Sequence, residues 1–316
     1  MRTRPLIARP LIALSALTLS ALALAGCTGS GEPDGSAATD EGLCAAAAPS
    51  GAASEAVTVD GEVGEASTAS FDAGLEVEEL QRTVITEGDG EALAEGDYVE
   101  YALTAFSADS AEKVGDIGYV EGEVLPAAVS AETSLGQIMG CASVGSRMVV
   151  TFPASESAGA EVYIVDVLDV APTQAWGEDQ PPVEGMPTVE LAEDGSPTIT
   201  IPDAEAPDEV QVAELKVGDG AEVEPGDNVL VQYTGVTWSD GEVFDSSWES
   251  GAAAAFATTG VVDGFRQALE GHTVGSQVLV VVPPEFGYGD VEDHELQDET
   301  LVFVVDILGT QHVPTE

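Results

Sequence analysis

Hydrophobic residues follow two different patterns in the C-terminal part of the chain. At residues 229–233, valine or tyrosine occupies every second position, which predicts a strand with one buried face. Residues 277–282 and 301–305 are almost entirely apolar. Short apolar runs of this length are typical of buried strands, so these two strands are predicted to close the domain.

A short helix is predicted between the alternating segment and the apolar runs. Three apolar residues within 265–270 have the spacing that places side chains on one face of a helix. Asp263 is suited to cap the start of this helix, and Gly271 is suited to end it. One helix packed on an antiparallel sheet gives an α+β fold class.

The chain contains an internal repeat. The tripeptide Gly-Asp-Gly at 88–90 recurs at 218–220, which is 130 positions later. Val-Asp-Val-Leu at 165–168 corresponds to Val-Asp-Ile-Leu at 305–308, which is 140 positions later, so the second copy has ten extra residues before its last strand. A repeat of this length indicates duplication of a whole domain, and both copies are predicted to have the same fold.

This repeat divides the chain into two predicted domains and a connection. The first copy is predicted to span residues 53–172, and the second copy residues 208–316. Residues 173–207 are rich in proline and acidic residues, which predicts a linker. Within the linker, residues 188–201 alternate enough to add an edge strand to the second domain.

Acidic side chains dominate the charge of the protein. The 316 residues include 58 acidic and 8 basic residues, which gives a net charge of −50 at pH 7. A surface of this charge repels phosphate groups, so binding to nucleic acid is not expected. Hydrophobic residues make up 44% of the chain, which is enough to form cores and excludes a wholly disordered protein.

The N-terminus has the pattern of a bacterial secretory signal. Basic residues precede an apolar run at 11–24, and Leu-Ala-Gly-Cys at 24–27 resembles the lipobox of bacterial lipoproteins. The resemblance implies that residues 1–26 are removed as a signal peptide and that Cys27 is lipidated. An extracytoplasmic protein, held at the outer face of the cell membrane, is therefore predicted, with residues 27–52 as a flexible tether. An ordinary signal peptide with a chance cysteine is the alternative.

Two further cysteines, Cys44 and Cys141, follow the lipobox. Thiols outside the cytoplasm usually pair, so a disulfide between them is predicted, and two separately buried thiols are the alternative. The three histidines are isolated from one another in the sequence, so no metal-binding spacing is present. No glycine-rich phosphate loop follows a strand, and no cofactor is predicted.

Five short motifs of the second copy resemble the FKBP-type peptidyl-prolyl isomerases, the macrolide-binding immunophilins. The motifs are Val-Gln-Tyr-Thr-Gly at 231–235, Asp-Gly-Glu-Val-Phe-Asp-Ser-Ser at 240–247, Val-Val-Asp-Gly-Phe at 261–265, Gly-Tyr-Gly at 287–289 and Thr-Leu-Val-Phe at 300–303. They occur in the family's order and spacing. The resemblance implies a twisted antiparallel sheet wrapped around one short helix, in agreement with the hydrophobic pattern.

The resemblance also implies an active site, which is a shallow apolar pocket between the helix and the sheet. Carried over by motif, the residues of this pocket are Tyr233, Phe244, Asp245, Val261, Val262, Phe265, Tyr288 and Phe303. Phe265 stands where the family usually has tryptophan. The family often has a basic residue near Ser250 and an aromatic residue near Ala254. Both are missing here, which trims one wall of the pocket, so a wider pocket and modest activity are expected.

The implied reaction is cis–trans isomerisation of the peptide bond before proline. Rotation breaks amide resonance, which sets a barrier of about 18–20 kcal/mol, and neither proton transfer nor a cofactor is required. In the family picture, the Val262 N–H and the Tyr288 hydroxyl bind substrate carbonyls, and Asp245 lies near the twisting carbonyl. The predicted partners are proline-containing unfolded or exported polypeptides.

The first copy lacks most of these groups. The positions of Tyr233, Phe244, Asp245, Phe265 and Phe303 are taken by Leu103, Val114, Gly115, Leu135 and Tyr163, and the segment around Tyr288 is missing. This copy is therefore predicted to keep the fold without the activity. For the whole protein, the alternative is a non-catalytic peptide-binding or chaperone lipoprotein. The sequence indicates no oligomeric state.

Overall fold

Strands make up most of the regular structure, and the helices are short. The computed structural model describes residues 40–313, so the predicted signal peptide 1–26 and the predicted lipidation site Cys27 lie outside the described residues. The helices are α1 (Asp40–Ala46), α2 (Ala52–Glu55), α3 (Ser134–Met139), α4 (Ser247–Ser250) and α5 (Asp263–Gln267). No helix in this described range has the length and apolar character needed to span a membrane.

The first copy of the repeat forms a six-stranded antiparallel sheet and a separate hairpin. The strands are β1 (Thr58–Asp60), β2 (Thr68–Ser70), β3 (Gln81–Thr86), β4 (Tyr98–Ser107), β5 (Lys113–Ile117), β6 (Ala127–Ala128), β7 (Arg147–Phe152) and β8 (Glu161–Val170). The order in the sheet is β3-β7-β8-β4-β5, and β6 pairs with β4. Strands β1 and β2 form the hairpin.

The second copy forms a seven-stranded antiparallel sheet. Its part of the chain contains β9 (Glu178–Asp179), β10 (Thr188–Leu191), β11 (Pro197–Thr200), β12 (Gln211–Val217), β13 (Asn228–Thr237), β14 (Val243–Ser246), β15 (Ala254–Ala257), β16 (Gln277–Val282) and β17 (Leu301–Gln311). The order in the sheet is β14-β13-β17-β16-β12-β9, and β15 pairs with β13.

The two sheets follow the sequence repeat closely. Apart from β9, the order of equivalent strands is the same in both. Both also contain a β-bulge at the same place, between Glu100 and Tyr101 in β4 and between Leu230 and Val231 in β13. Because a bulge locally bends and twists its strand, β4 and β13 change direction at the same position of the repeat. The exact domain boundaries, 53–172 and 208–316, stay predictions.

The apolar runs of the sequence are explained by sheets that are covered on both faces. In β16, Val278, Val280 and Val282 belong to a core with Phe265 of α5 and with Leu269, which follows the helix. The intervening Leu279 and Val281 belong to a second core on the opposite face. Successive side chains of a strand point to opposite faces, so a strand buried on both sides needs no polar positions.

The helix of the second copy is displaced toward the N-terminus relative to the prediction. It was expected over residues 265–270 with Asp263 as its cap, whereas α5 spans Asp263–Gln267 and Val262 is the capping residue. The Arg266 N–H donates to the Val262 carbonyl at 3.0 Å, which places the first helical turn two residues earlier. The chain keeps turning until Gly271, whose φ of +84° is readily adopted by glycine.

The predicted flexible tether over residues 27–52 is wrong for its described part. Helix α1 occupies Asp40–Ala46, and the side chain of Leu43 is fully buried in the core of the first copy. A disulfide joins Cys44 to Cys141, which lies just after α3. One apolar side chain and one covalent bond therefore fix a segment whose composition otherwise resembles a tether.

Residues 173–207 also differ from the predicted linker. Ala175 and Met186 are buried, and β10 pairs with β11 in a two-stranded hairpin of its own rather than extending the large sheet. Val189, Ile199 and Ile201 pack on the outer face of that sheet, in the core that contains Leu279. The strand that does extend the sheet is β9, which pairs with β12.

Candidate active site

Three buried aromatic rings form the base of the site in the second copy. Tyr233 on β13, Phe265 on α5 and Phe303 on β17 are 8%, 5% and 4% exposed. The ring of Phe265 lies edge-to-face against Tyr233 at 5.7 Å and against Phe303 at 5.0 Å, measured between ring centroids. This geometry is the favourable one for aromatic pairs, so the three rings hold one another in a fixed apolar base.

Half-buried side chains surround this base and form the rim of the site. Phe244 of β14 packs edge-to-face on Phe303, with 5.5 Å between the ring centroids. Val261, Val262 and Tyr288 contact the same core and are partly exposed. The rim of the site is therefore in contact with solvent, whereas the three rings of its base are almost fully buried.

Asp245 joins the site through a hydrogen bond. The Tyr233 hydroxyl donates to the Asp245 carboxylate at 2.5 Å. Burial raises the pKa of Tyr233, and the hydrogen bond to Asp245 and the charge of that carboxylate raise it further. The hydroxyl is therefore protonated at neutral pH and remains a donor to Asp245, which itself is exposed to solvent.

Two donors at the rim have no partner within the described part of the chain. The Val262 N–H and the Tyr288 hydroxyl make no hydrogen bond to any residue between 40 and 313. Both groups are therefore available to a carbonyl oxygen that approaches from solvent. The structure thus brings together all eight residues predicted for the pocket, while their roles in the reaction stay predictions.

Two further aromatic residues of the site were not predicted. Phe256 of β15 contacts both Tyr233 and Phe265, with centroid distances of 5.8 and 5.9 Å. His294 stacks on the Tyr288 ring at 3.9 Å, and its Nδ1 accepts a hydrogen bond from the Leu296 N–H. Phe256 is two positions after Ala254 in β15, and both side chains pack on the same core, so the alternation of this short strand was the signal that the sequence offered.

The first copy keeps three of the replaced positions in its core, Leu103, Leu135 and Tyr163, but differs at Val114 and in one connection. Val114 is 65% exposed and does not contact the core. Eight residues connect β7 to β8, whereas eighteen connect β16 to β17, the connection that carries Tyr288.

Within residues 40–313, no group of three His, Cys, Asp or Glu side chains is placed to hold a metal ion.

Comparison with known proteins identifies the family. A family model described as FKBP-type peptidyl-prolyl cis-trans isomerase matches residues 220–308. A probable FK506-binding protein of Corynebacterium glutamicum is 38% identical over 114 residues, which are 36% of this chain and 97% of that protein. The chain belongs to the FKBP-type peptidyl-prolyl cis-trans isomerases.

Other FKBP relatives match the same part of the chain. An FK506-binding protein of Streptomyces anulatus is 32% identical over 118 residues, which are 36% of this chain and 95% of that protein. The outer membrane protein MIP of Legionella longbeachae is 35% identical over 107 residues, which are 33% of this chain and 46% of that protein. The residues matched by the FKBP family model include all eight predicted site residues.

Proposed function

We propose that the aromatic surface of the second copy catalyses prolyl isomerisation in exported or cell-envelope polypeptides. The observation that carries the proposal is the aromatic base formed by Tyr233, Phe265 and Phe303, with a partly exposed rim that carries two donors without a partner among residues 40–313. Uncatalysed isomerisation takes tens to hundreds of seconds, which is slow enough to limit folding, so a catalyst outside the cytoplasm has a clear use.

The apolar base acts on the prolyl ring and on the solvent around the reacting bond. A ring that packs on Phe265 is held in one place while the amide turns. Removal of water disfavours the planar amide, because water stabilises its polar resonance form more than the twisted form. The site therefore binds the twisted bond more tightly than the planar one, and this difference lowers the barrier.

The two rim donors orient the substrate on this base. The Val262 N–H and the Tyr288 hydroxyl donate to carbonyl oxygens of the substrate chain, and the stack on His294 holds the Tyr288 ring in place. Asp245, positioned by its hydrogen bond to Tyr233, provides a fixed negative charge near the twisting carbonyl. The proposed catalysis therefore uses substrate binding and fixed charges, without proton transfer.

The Tyr288 hydroxyl provides the test of this assignment. Tyr288→Phe removes one hydrogen bond to substrate and leaves the stack on His294 in place, so kcat/KM is expected to fall about threefold to tenfold. The measurement is exchange NMR on a proline-containing peptide with the full chain. Tyr101→Phe is the matched control, because its hydroxyl makes no hydrogen bond to residues 40–313 and lies in the first copy.

The same assay separates catalysis from the alternative function. A non-catalytic peptide-binding protein would shift the peptide resonances without accelerating exchange between the cis and trans forms. That result for the full chain would contradict the proposed function, as would an unchanged rate in Tyr288→Phe.

The proposed location is the outer face of the membrane, through lipid on Cys27. The lipobox-like sequence at 24–27 supports it, as does the Cys44–Cys141 disulfide, since such bonds persist in oxidising compartments. A relative named as an outer membrane protein is consistent with this location. In the native host, Cys27→Ser is expected to shift the protein out of the membrane fraction and to remove the lipid mass. A wild-type protein without lipid would contradict the proposal.

A further inference from the structure

The sheet of the first copy carries an open cavity beside helix α3. Its volume is about 400 Å³, which lies within the usual size range of ligand pockets. The apolar wall is formed by Leu103, Ile138, Phe152, Tyr163 and Val165. By the repeat, Leu103 and Tyr163 occupy the positions of Tyr233 and Phe303, so the cavity corresponds in place to the active site of the second copy.

The cavity is open because the connection after β7 is short. In the second copy, Phe286, Tyr288 and Leu296 of the eighteen-residue connection pack on the core that contains Tyr233 and Phe303. The eight-residue connection of the first copy runs along one side of the cavity and includes Pro153 and Ala158. The space that the longer connection would cover is left accessible.

Several apolar side chains of this wall remain partly exposed to solvent. Leu103, Ile138, Phe152 and Tyr163 all contact the core of the first copy, yet each is only half buried. Phe152 and Tyr163 lie edge-to-face, with 5.3 Å between ring centroids, so the wall is held rigid. An apolar group that enters the cavity would complete the burial of these residues without rearrangement.

A single carboxylate defines the polar end of the cavity. The Tyr163 hydroxyl donates to the Glu161 carboxylate at 2.7 Å, which leaves the second carboxylate oxygen free for another donor. No lysine or arginine lines the cavity, and no salt bridge to Glu161 forms within residues 40–313. A cationic group beside the apolar occupant would match this charge, and the net charge of −50 attracts such ligands.

We propose that this cavity binds an extended peptide segment, with a bulky apolar side chain against Leu103 and Phe152 and a neighbouring lysine or arginine on Glu161. The first copy is then a second, non-catalytic peptide site that requires no proline. Catalysis is not expected there because the cavity has no counterpart of Asp245 or of the Tyr288 hydroxyl.

The test uses the full chain and a labelled peptide without proline that carries Phe-Leu next to lysine. A second peptide replaces the lysine with glutamine, and fluorescence anisotropy gives both affinities. The lysine peptide is expected to bind about threefold to tenfold more tightly. Glu161→Gln is expected to abolish this preference, whereas Glu156→Gln removes the same charge from the connection just before β8, outside the cavity, and is expected to change it less than twofold.

A second variant tests the apolar part of the site. Ile138→Trp fills part of the cavity and is expected to weaken binding of both peptides about tenfold or more, with thermal unfolding as the check of the fold. Methyl NMR of Ile138 and Leu103 locates the peptide even if that variant is unstable. Absence of binding, contacts only at Tyr288, or a concentration-dependent dimer that occupies the cavity instead would each overturn the proposal.

Discussion

At the scale of single residues, the pair formed by Tyr233 and Asp245 connects the core to the open site. The Tyr233 ring packs against both Phe256 and Phe265, and its hydroxyl donates to the exposed carboxylate of Asp245. One side chain therefore contributes both to the stability of the apolar base and to the position of the charge beside it.

Removal of this hydroxyl is predicted to affect stability and activity together. Tyr233→Phe keeps the ring contacts and removes the hydrogen bond, so the free energy of unfolding is expected to fall by about 1–2 kcal/mol. The value of kcat/KM is expected to fall too, because Asp245 is no longer held in one position. Urea unfolding and exchange NMR give the two quantities.

Tyr119→Phe is the control for this prediction. Tyr119 and Thr104 share a hydroxyl–hydroxyl bond of 3.1 Å in the first copy, so the change removes one tyrosine hydrogen bond outside the second copy. It is expected to lower the free energy of unfolding by about 1 kcal/mol and to leave the isomerase rate unchanged. Equal losses of activity in the two variants would contradict a positioning role for Tyr233.

At the scale of secondary-structure elements, β8 and β17 carry equivalent buried aspartates with different partners. The Asp166 carboxylate accepts hydrogen bonds from Nε and Nη2 of Arg147, each at 2.6 Å. The same guanidinium also donates to the backbone carbonyls of residues 61, 62 and 65. The Asp306 carboxylate instead accepts hydrogen bonds from the side-chain amide of Gln277 at 2.7 Å and from the backbone N–H of Ala175 at 2.8 Å. Each aspartate fixes the segment that covers the outer face of its sheet.

These two aspartates are predicted to respond differently to the same substitution. Asp166→Asn leaves the buried charge of Arg147 without its carboxylate counter-charge, which is expected to cost about 3–5 kcal/mol of unfolding free energy. Asp306→Asn can keep both hydrogen bonds if the Gln277 amide turns over, so a loss below about 1 kcal/mol is expected at pH 7. Urea unfolding of both variants measures the two losses of unfolding free energy, and equal losses would mean that the two aspartates do not differ in this way.

The stability of the Asp306 variant relative to wild type is also predicted to depend on pH. Burial raises the pKa of Asp306 in the folded chain. The folded state therefore binds this proton at a higher pH than the unfolded state, and the group's contribution to stability increases as pH falls toward its unfolded pKa of about 3.9. The difference in unfolding free energy between wild type and Asp306→Asn should therefore grow in favour of wild type as the pH is lowered from 7 to 4.5. A difference that does not change with pH would exclude a raised pKa of Asp306.

At the scale of the whole molecule, the Cys44–Cys141 disulfide closes a large loop. The two cysteines are 97 positions apart, and a bond across such a separation is expected to contribute about 2–5 kcal/mol by restricting the unfolded chain. The paired variant Cys44→Ser, Cys141→Ser should unfold at correspondingly lower urea concentration. Hydrogen exchange in α1 should rise first, and an unchanged exchange rate there would mean that Leu43 alone holds the helix.

The sequence predicts much of this molecule because its signals are local and periodic. Alternation and apolar runs locate β13, β16 and β17, and the motifs name residues that do meet in space. The packing of residues 173–207 was missed because alternation alone cannot distinguish a strand added at an edge from a hairpin laid across a face. The stack of His294 on Tyr288 was missed because an acidic loop with no periodic pattern separates the two rings.

The hairpin formed by β10 and β11 has a consequence for any shorter version of the protein. A fragment that begins at residue 208 would expose Leu279, Val281 and Val302 on an uncovered sheet face. Contiguous apolar patches of this kind promote self-association, so such a fragment should precipitate or form oligomers during purification. A soluble catalytic unit has to start before Ala175, where the covering segment begins.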